Sequence, residues 1–308
     1  MMKKKSLFCR AIYGMTKGLF VMSVSAVFLL AEISCSDADT PESPAEPAYI
    51  SIASASESPT FSSNATALEG EGETMSVFVM CGNAEYAYSN VKLRHDGNEW
   101  ISDLQMLYAG EKYPQTLYAV YPYVDYSALF GFSVECELAT DQASQRQADL
   151  MCTAEGVELN SCSAELVMNH LLSKIVVKLK CGTEFEGGAA SVGKVEVGSM
   201  SAEGSFDWKT GLWLEIGDAN NTFSMSKIAD DSYEVLVMPL DYCDLIPVAV
   251  TVGENRYTAQ ISLQGIDNKL EKGKEYTISL KVGTDKVEPD GIVAESWQLV
   301  DGGDMKAE

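Results

Sequence analysis

The run Leu166-Val167-Met168-Asn169-His170-Leu171-Leu172-Ser173-Lys174-Ile175-Val176-Val177-Lys178-Leu179-Lys180-Cys181 decides how the chain is read. It is rich in β-branched residues and holds neither Gly nor Pro, so it is expected to be extended rather than helical. With a period of two, Leu171, Ile175, Val177, Leu179 and Cys181 share one face with Asn169 and Ser173. Lys174, Lys178 and Lys180 share the other, which is therefore wet at its C-terminal end. At the N-terminal end that second face carries Leu166, Met168 and Leu172, so both faces are expected to be covered there. The run exceeds the usual strand of about 5–6 residues, which predicts a bend or bulge near residues 171–173. Such a stretch suits the opening strand of a second domain where it lies against the first.

His170 invites a metal or catalytic reading. The only other histidine is His95, and neither has a Cys or carboxylate at ligand spacing. The expectation is a packed ring making one hydrogen bond.

Outward from this run the pattern is short strands separated by turns. Residues 49–53 alternate as a first strand, and residues 54–73 are polar and rich in Ser, Gly and Glu, a loop. Residues 75–81 are almost continuously apolar, as in a strand buried on both faces. Val91-Lys92-Leu93 and Trp100-Ile101 flank an Asp96-Gly97-Asn98 turn. The tyrosine-dense stretch 108–126 reads as core with its hydroxyls at the rim, ahead of a sugar-stacking surface. Residues 130–134 are expected to end the first domain, with 140–151 connecting to the second. Residues 206–216 and 248–263 make two hairpins, residues 233–238 form a strand stopped by Pro239, and Tyr276, Ile278, Leu280 and Val282 alternate against polar neighbours. No long stretch has helical periodicity, so the class is all-β, in antiparallel sandwiches.

Four pieces in this order carry a family resemblance. His170-Leu171-Leu172-Ser173-Lys174-Ile175 is similar to the H-x-L-S-K-[ILV] strand of the fimbrillin family. Residues 118–123 (Tyr-Ala-Val-Tyr-Pro-Tyr), 148–151 (Ala-Asp-Leu-Met) and 273–280 (Gly-Lys-Glu-Tyr-Thr-Ile-Ser-Leu) resemble other stretches of that family, and together they span roughly residues 49–300. The resemblance implies two tandem transthyretin-like β-sandwich domains in a surface lipoprotein that builds fimbriae of Gram-negative anaerobes.

Length and charge fit that reading. The 308 residues allow two domains of about 110–150 residues each, and 46% apolar content is enough for real cores. Net charge is −23; residues 1–34 remove five positive charges (Lys3, Lys4, Lys5, Arg10, Lys17) and one negative (Glu32), which leaves −27. So acidic a surface repels nucleic acid and anionic membrane, and nucleic acid is not an expected partner.

The N-terminus has a basic stretch, an apolar run at 19–31 too short to span a bilayer, then Ser34-Cys35 and an acidic, Pro-rich segment. This resembles a lipoprotein signal cleaved before a lipidated Cys35, with Glu32 a departure from the usual pattern. The acidic residues after Cys35 (Asp37, Asp39, Glu42) are similar to a surface-export tag. The expected partition is a signal peptide at 1–34, a lipid-anchored tether at 35–48, an N-terminal β-sandwich at 49–154, a C-terminal β-sandwich at 155–286 and a tail at 287–308. Six further cysteines (Cys81, Cys136, Cys152, Cys162, Cys181, Cys243) form no CxxC pair, and several sit in apolar strand patterns, where buried free thiols are at least as expected as disulfides.

In the tail, Ile292-Val293-Ala294-Glu295-Ser296-Trp297-Gln298-Leu299-Val300 reads as a strand beyond a complete domain, with Val293, Trp297 and Leu299 on one face. The resemblance implies a donor strand (Ile292, Val293, Trp297, Leu299, Val300) that fills a groove left where another subunit loses its first strand to a trypsin-like protease. Here the sequence departs, since neither Lys nor Arg occurs between Lys17 and Lys92.

Enzyme readings fail on inventory: there is no G-x-S-x-G, no HExxH and no phosphate-cradling glycine loop. No catalytic residue, cofactor or metal is expected. The reading is a structural subunit (shaft, anchor or accessory) of a cell-surface fimbria, joined to other subunits by strand addition, held to the outer membrane through lipid on Cys35 and supporting adhesion. The alternative is a monomeric surface lipoprotein binding glycan or protein ligands on host or bacterial surfaces.

Overall fold

A computed structural model describes residues 47–57, 68, 70–82, 85–110, 112–144, 149–182, 192–283 and 286–296. The first strands in chain order are β1 Ser51–Glu57, β2 Thr74–Cys81, β3 Glu85–His95, β4 Trp100–Ser102, β5 Gln115–Tyr121, β6 Leu129–Phe130 and β7 Ser133–Glu137. They are followed by β8 Met151–Cys152, β9 Val157–Glu158, β10 Ser163–His170, β11 Ser173–Cys181, β12 Val192–Met200, β13 Glu203–Asp207 and β14 Leu212–Ile216. The last are β15 Asn221–Ser224, β16 Ser226–Ala229, β17 Ser232–Val237, β18 Leu245–Val252, β19 Asn255–Ser262, β20 Lys274–Val282 and β21 Val287–Ser296. No α-helix occurs among the described residues.

The first sheet runs β1-β10-β8-β5-β2-β3-β4, with β9 beside β5. Its centre is set by β2, whose apolar sequence suits burial on both faces. Met75, Val77 and Val79 enter a core with Ile52, Leu93, Leu117 and Leu166. From the opposite face, Phe78 and Met80 enter a second core with Val120, Phe206 and Trp208. The buried Ser76 between them is satisfied, its Oγ accepting from the Val124 N–H at 3.0 Å.

The second core lies in a sandwich of the sheets β16-β17-β11-β20-β21 and β15-β12-β18-β19. Ile175, Val177 and Leu179 of β11 alternate into it, with Val195 and Val197 of β12, Val248 and Val250 of β18, and Ile278 and Leu280 of β20. A third group, β14-β13-β7-β6, joins early and late parts of the chain, with Ser205 of β13 opposite Glu135 of β7. Trp208, fully buried, stacks on Phe78 with ring centroids 4.2 Å apart and planes 10° from parallel, so the two halves share packing.

Several expectations need correction. The run 166–181 is not one bent strand: β10 and β11 belong to different sheets and break at Leu171–Leu172. The break is gripped from both sides. Leu171 N–H donates to the Leu150 carbonyl at 2.8 Å, Trp213 Nε1–H donates to the Leu171 carbonyl at 2.8 Å, and Gly273 N–H donates to the Leu172 carbonyl at 2.8 Å. β10 alternates cleanly, with Ala164, Leu166, Met168 and His170 buried and Val167 46% exposed, so only one of its faces is covered. The change of sheet falls here rather than between residues 154 and 155, because β9, paired with β5, and β10, paired with β8 and β1, both belong to the first sheet. β7, read as the close of the first domain, pairs with β13 instead. The sheets are also mixed: β1 runs parallel to β10, and β11 parallel to β20.

Other readings match. The hairpins β13–β14 and β18–β19 both form. At the first of them Gly211 has φ +63, and a Cβ there would lie 2.9 Å from Cys152 Sγ, so the turn requires glycine on both counts. The six cysteines of the described residues are free thiols, and burial pushes Cys136 up to about 12.

Candidate functional site

The residues singled out for function cluster at the two ends of the chain. Cys35, Trp297, Leu299 and Val300 lie outside the described residues. Ile292 and Val293 lie in β21, and the first strand expected from the sequence is β1, extended to Glu57.

β1 is held along both edges. On one side it pairs with β10 from Ser51 opposite Ser163 to Glu57 opposite Met168, with an irregularity between Ile52 and Ser54. On the other, Ile50 N–H donates to the Met106 carbonyl at 2.6 Å and Leu68 N–H donates to the Ala55 carbonyl at 2.8 Å. Ile52, Ala55 and Glu57 are the buried positions. A glutamate thus occupies an inward place in an otherwise apolar pattern.

Its partner is His170. The imidazole Nε2 lies 3.4 Å from Glu57 Oε2, and Nδ1 bonds Asp149 Oδ2. All three residues are largely buried, with side-chain exposures of 4% for His170, 7% for Glu57 and 17% for Asp149. Burial pulls the His170 pKa down, but the Asp149 and Glu57 carboxylates more than offset it and push it up to about 9. Burial raises the Asp149 pKa as well. The expectation of one hydrogen bond for His170 is corrected to a bridge between two carboxylates. These sit on opposite ring nitrogens, so they do not converge on one ion, and no metal-competent cluster occurs among the described residues. Sequence reading missed Glu57 by ending the first strand at residue 53. No simple signal was available: the period of two set by Ile50 and Ile52 is broken by the irregularity between Ile52 and Ser54, and the buried positions resume at Ala55 and Glu57.

The tail strand is placed differently from its reading as a spare element. β21 pairs antiparallel with β20 along its whole length, from Val287 opposite Val282 to Ser296 opposite Lys274. It is the last strand of its sheet, where Pro289 is tolerated because an edge needs no donor on its outer side. Asp290 forms a bulge between Pro289 and Gly291, and Gly291 takes φ +142, open to glycine alone. Lys180 at 2.7 Å and Lys281 at 2.5 Å clasp the Asp290 carboxylate and hold its pKa down to about 2. Ile292 packs against the second core, whereas Val293 is 55% exposed. No helix of the described residues is long and apolar enough to cross a membrane.

An all-β chain whose first and last described strands each lie at a sheet edge is the class that this geometry defines. Residues 62–297 match the family described as fimbrillin-like, and the chain belongs to that family. Two solved structures share the fold. A candidate cell adhesion protein from Bacteroides ovatus has 21% identity and a TM-score of 0.64, over 83% of this chain and 99% of its own. Another, from Bacteroides uniformis, has 17% identity and a TM-score of 0.61, over 82% of this chain and 99% of its own. No curated protein sequence matches the chain.

Proposed function

We propose that the chain is a structural subunit of a cell-surface fimbria that joins other subunits by β-strand exchange and supports adhesion. The observation that carries this reading is the edge position of β1 and β21 in a chain of the fimbrillin-like family. A strand at the end of a sheet can be exchanged for, or extended by, a partner strand, whose ladder bonds give affinity and whose alternate side chains set the register.

The pairing of β21 refines the donor segment. Removing Ile292 and Val293 from β20 gives up ladder bonds worth roughly 0.5–1.5 kcal/mol each net, and uncovers Ile292. The economical arrangement keeps 287–296 as the closing strand and uses Trp297, Leu299 and Val300 beyond it for the partner. Deleting 297–308 is then expected to leave the melting temperature within about 2 °C of wild type and to abolish association with a shaft subunit in a pull-down. Deleting 292–308 is expected to lower the melting temperature by several degrees more. If the shorter deletion still binds the shaft subunit, tail donation is wrong.

Anchoring to the outer membrane is assigned to lipid on Cys35, supported by the signal-like N-terminus and the acidic tether. Metabolic labelling with a palmitate analogue is expected to mark the wild type and not Cys35→Ala; equal labelling of both overturns the assignment. With no Lys or Arg between Lys17 and Lys92, a subunit that keeps its first strand adds to a fibre without accepting the next subunit, which suits an anchor or accessory place.

The second reading, a monomeric lipoprotein that binds glycan or protein ligands, draws on Tyr126, Phe130 and Phe132, which are exposed at and beside the β6–β7 turn. Carbohydrate-array binding lost on their substitution would favour it over strand exchange.

A further inference from the structure

The Glu57–His170–Asp149 cluster is more than a packed histidine, because its three members come from different stretches of chain that meet only when β1 is seated. His170 ends β10, Asp149 precedes β8, and Glu57 ends β1. Asp149 and His170 sit on neighbouring segments of the first sheet, where β8 and β10 are directly paired at Met151 and His170. Glu57 arrives solely with β1. Without it, the Nε2–H of His170 points into a site with 4% side-chain exposure, where water is a poor substitute. Asp149 is bonded to Nδ1, across the ring from Nε2, so it does not take the place of Glu57. The register matters too. β1 is parallel to β10, with an irregularity between Ile52 and Ser54, and Glu57 faces Met168, one inward position before His170. A slip of one residue in either direction would turn the carboxylate away from the imidazole and place a serine in its stead.

We propose that this cluster is the specificity element of the β1 position, which fixes the register of the first strand and admits as a replacement a strand that carries a carboxylate at the place of Glu57. A charge-assisted bond to a buried imidazole is about twice as strong as its neutral counterpart, so a strand with an uncharged residue there is disfavoured. The partner this defines is an extended segment with small or apolar residues at the places of Ile52 and Ala55 and an acid two residues after the latter. Replacement by such a segment rests on the strand-exchange reading above, with β1 released by a protease that needs neither Lys nor Arg; the register lock does not.

Two measurements test the proposal. In the intact full chain, hydrogen exchange of the β1 amides is expected to quicken at least tenfold in Glu57→Gln and in His170→Gln, with β12 and β18 unchanged. Unchanged β1 exchange, or an equal rise throughout the chain, overturns the lock. For selection, a protease recognition sequence is inserted between residues 57 and 68, and the folded chain is cut there. The cut chain is then exposed to labelled peptides of residues 49–57, either native or with Glu57→Gln. The native peptide is expected to exchange in with at least tenfold preference, and the preference is expected to vanish in a His170→Gln chain. Equal uptake of the two peptides, or a preference that survives His170→Gln, overturns the selection. Because both measurements use one isolated chain, a chain that passes them yet binds no other subunit sinks the assembly reading alone.

Discussion

Replacing Trp208 with alanine is expected to lower the unfolding free energy by about 3–5 kcal/mol, the range for deleting a large buried aromatic. Trp208 is fully buried and stacks on Phe78 of β2 at 4.2 Å. Tyr118 and Phe132 meet its ring edge-to-face at 5.2 and 5.5 Å. Trp208 sits at the β13–β14 turn while these neighbours come from residues 78–132, so collapse into the vacated space would require the first sheet and the β13 hairpin to move together. The cavity term is therefore expected to be near the top of its range. Trp208→Phe keeps a ring against Phe78 and loses the Nε1–H bond to the Gly131 carbonyl, long at 3.4 Å, so its cost should be about 1–2 kcal/mol. Leu212→Ala, at a position 58% exposed, is the control and should stay within about 0.5 kcal/mol. Urea titrations of the three variants decide the matter. If Trp208→Ala costs less than about 1.5 kcal/mol, the packing of the β13 hairpin on the first sheet contributes little to stability.

The residues that made the fold legible were those whose environment is set by neighbours in sequence. Tyr276, Ile278, Leu280 and Val282 alternate because one face of β20 meets the second core, and the same holds for β18 and β19 about their turn. The continuous apolar run of β2 correctly implied two covered faces. What the sequence could not show was which sheet each strand would join. β7 lies opposite β13, far along the chain, and nothing local in 133–137 names that partner. The run at 166–181 misled for a physical reason. Leu171 and Leu172 are both fully buried, so the alternation passes through the break without a polar gap or a turn residue to mark it. The same limit applies to the site. His170 and Asp149 both fall in the stretches that carried the family resemblance, yet their contact spans 21 residues and needs the β8–β10 pairing to form. Glu57 lies farther away still, beyond the irregularity between Ile52 and Ser54 that breaks the period of two, so nothing local marks it as facing inward.

The stability of the protein is expected to fall as pH rises from about 6.5 to above 9, and His170 is the group responsible. In the unfolded chain an imidazole titrates near 6.5; in the fold, with Asp149 on one nitrogen and Glu57 on the other, His170 holds its proton to about 9. Between those values the folded chain carries a proton that the unfolded chain has lost. Raising the pH through this window therefore draws the equilibrium toward unfolding. The contribution is complete below about 6.5 and gone above about 9, and a gap of that width amounts to about 3 kcal/mol. For a folded unit of this size the loss corresponds to a fall of roughly 6–12 °C in melting temperature. His170→Gln should begin lower at pH 6.5 and stay nearly level to pH 9.5, so the two curves converge as the pH rises. The difference between them separates His170 from the general repulsion of a chain with net charge −23, which both proteins share. Parallel curves would mean that the imidazole is neutral in the fold, with the Glu57 contact contributing no charge-assisted bond.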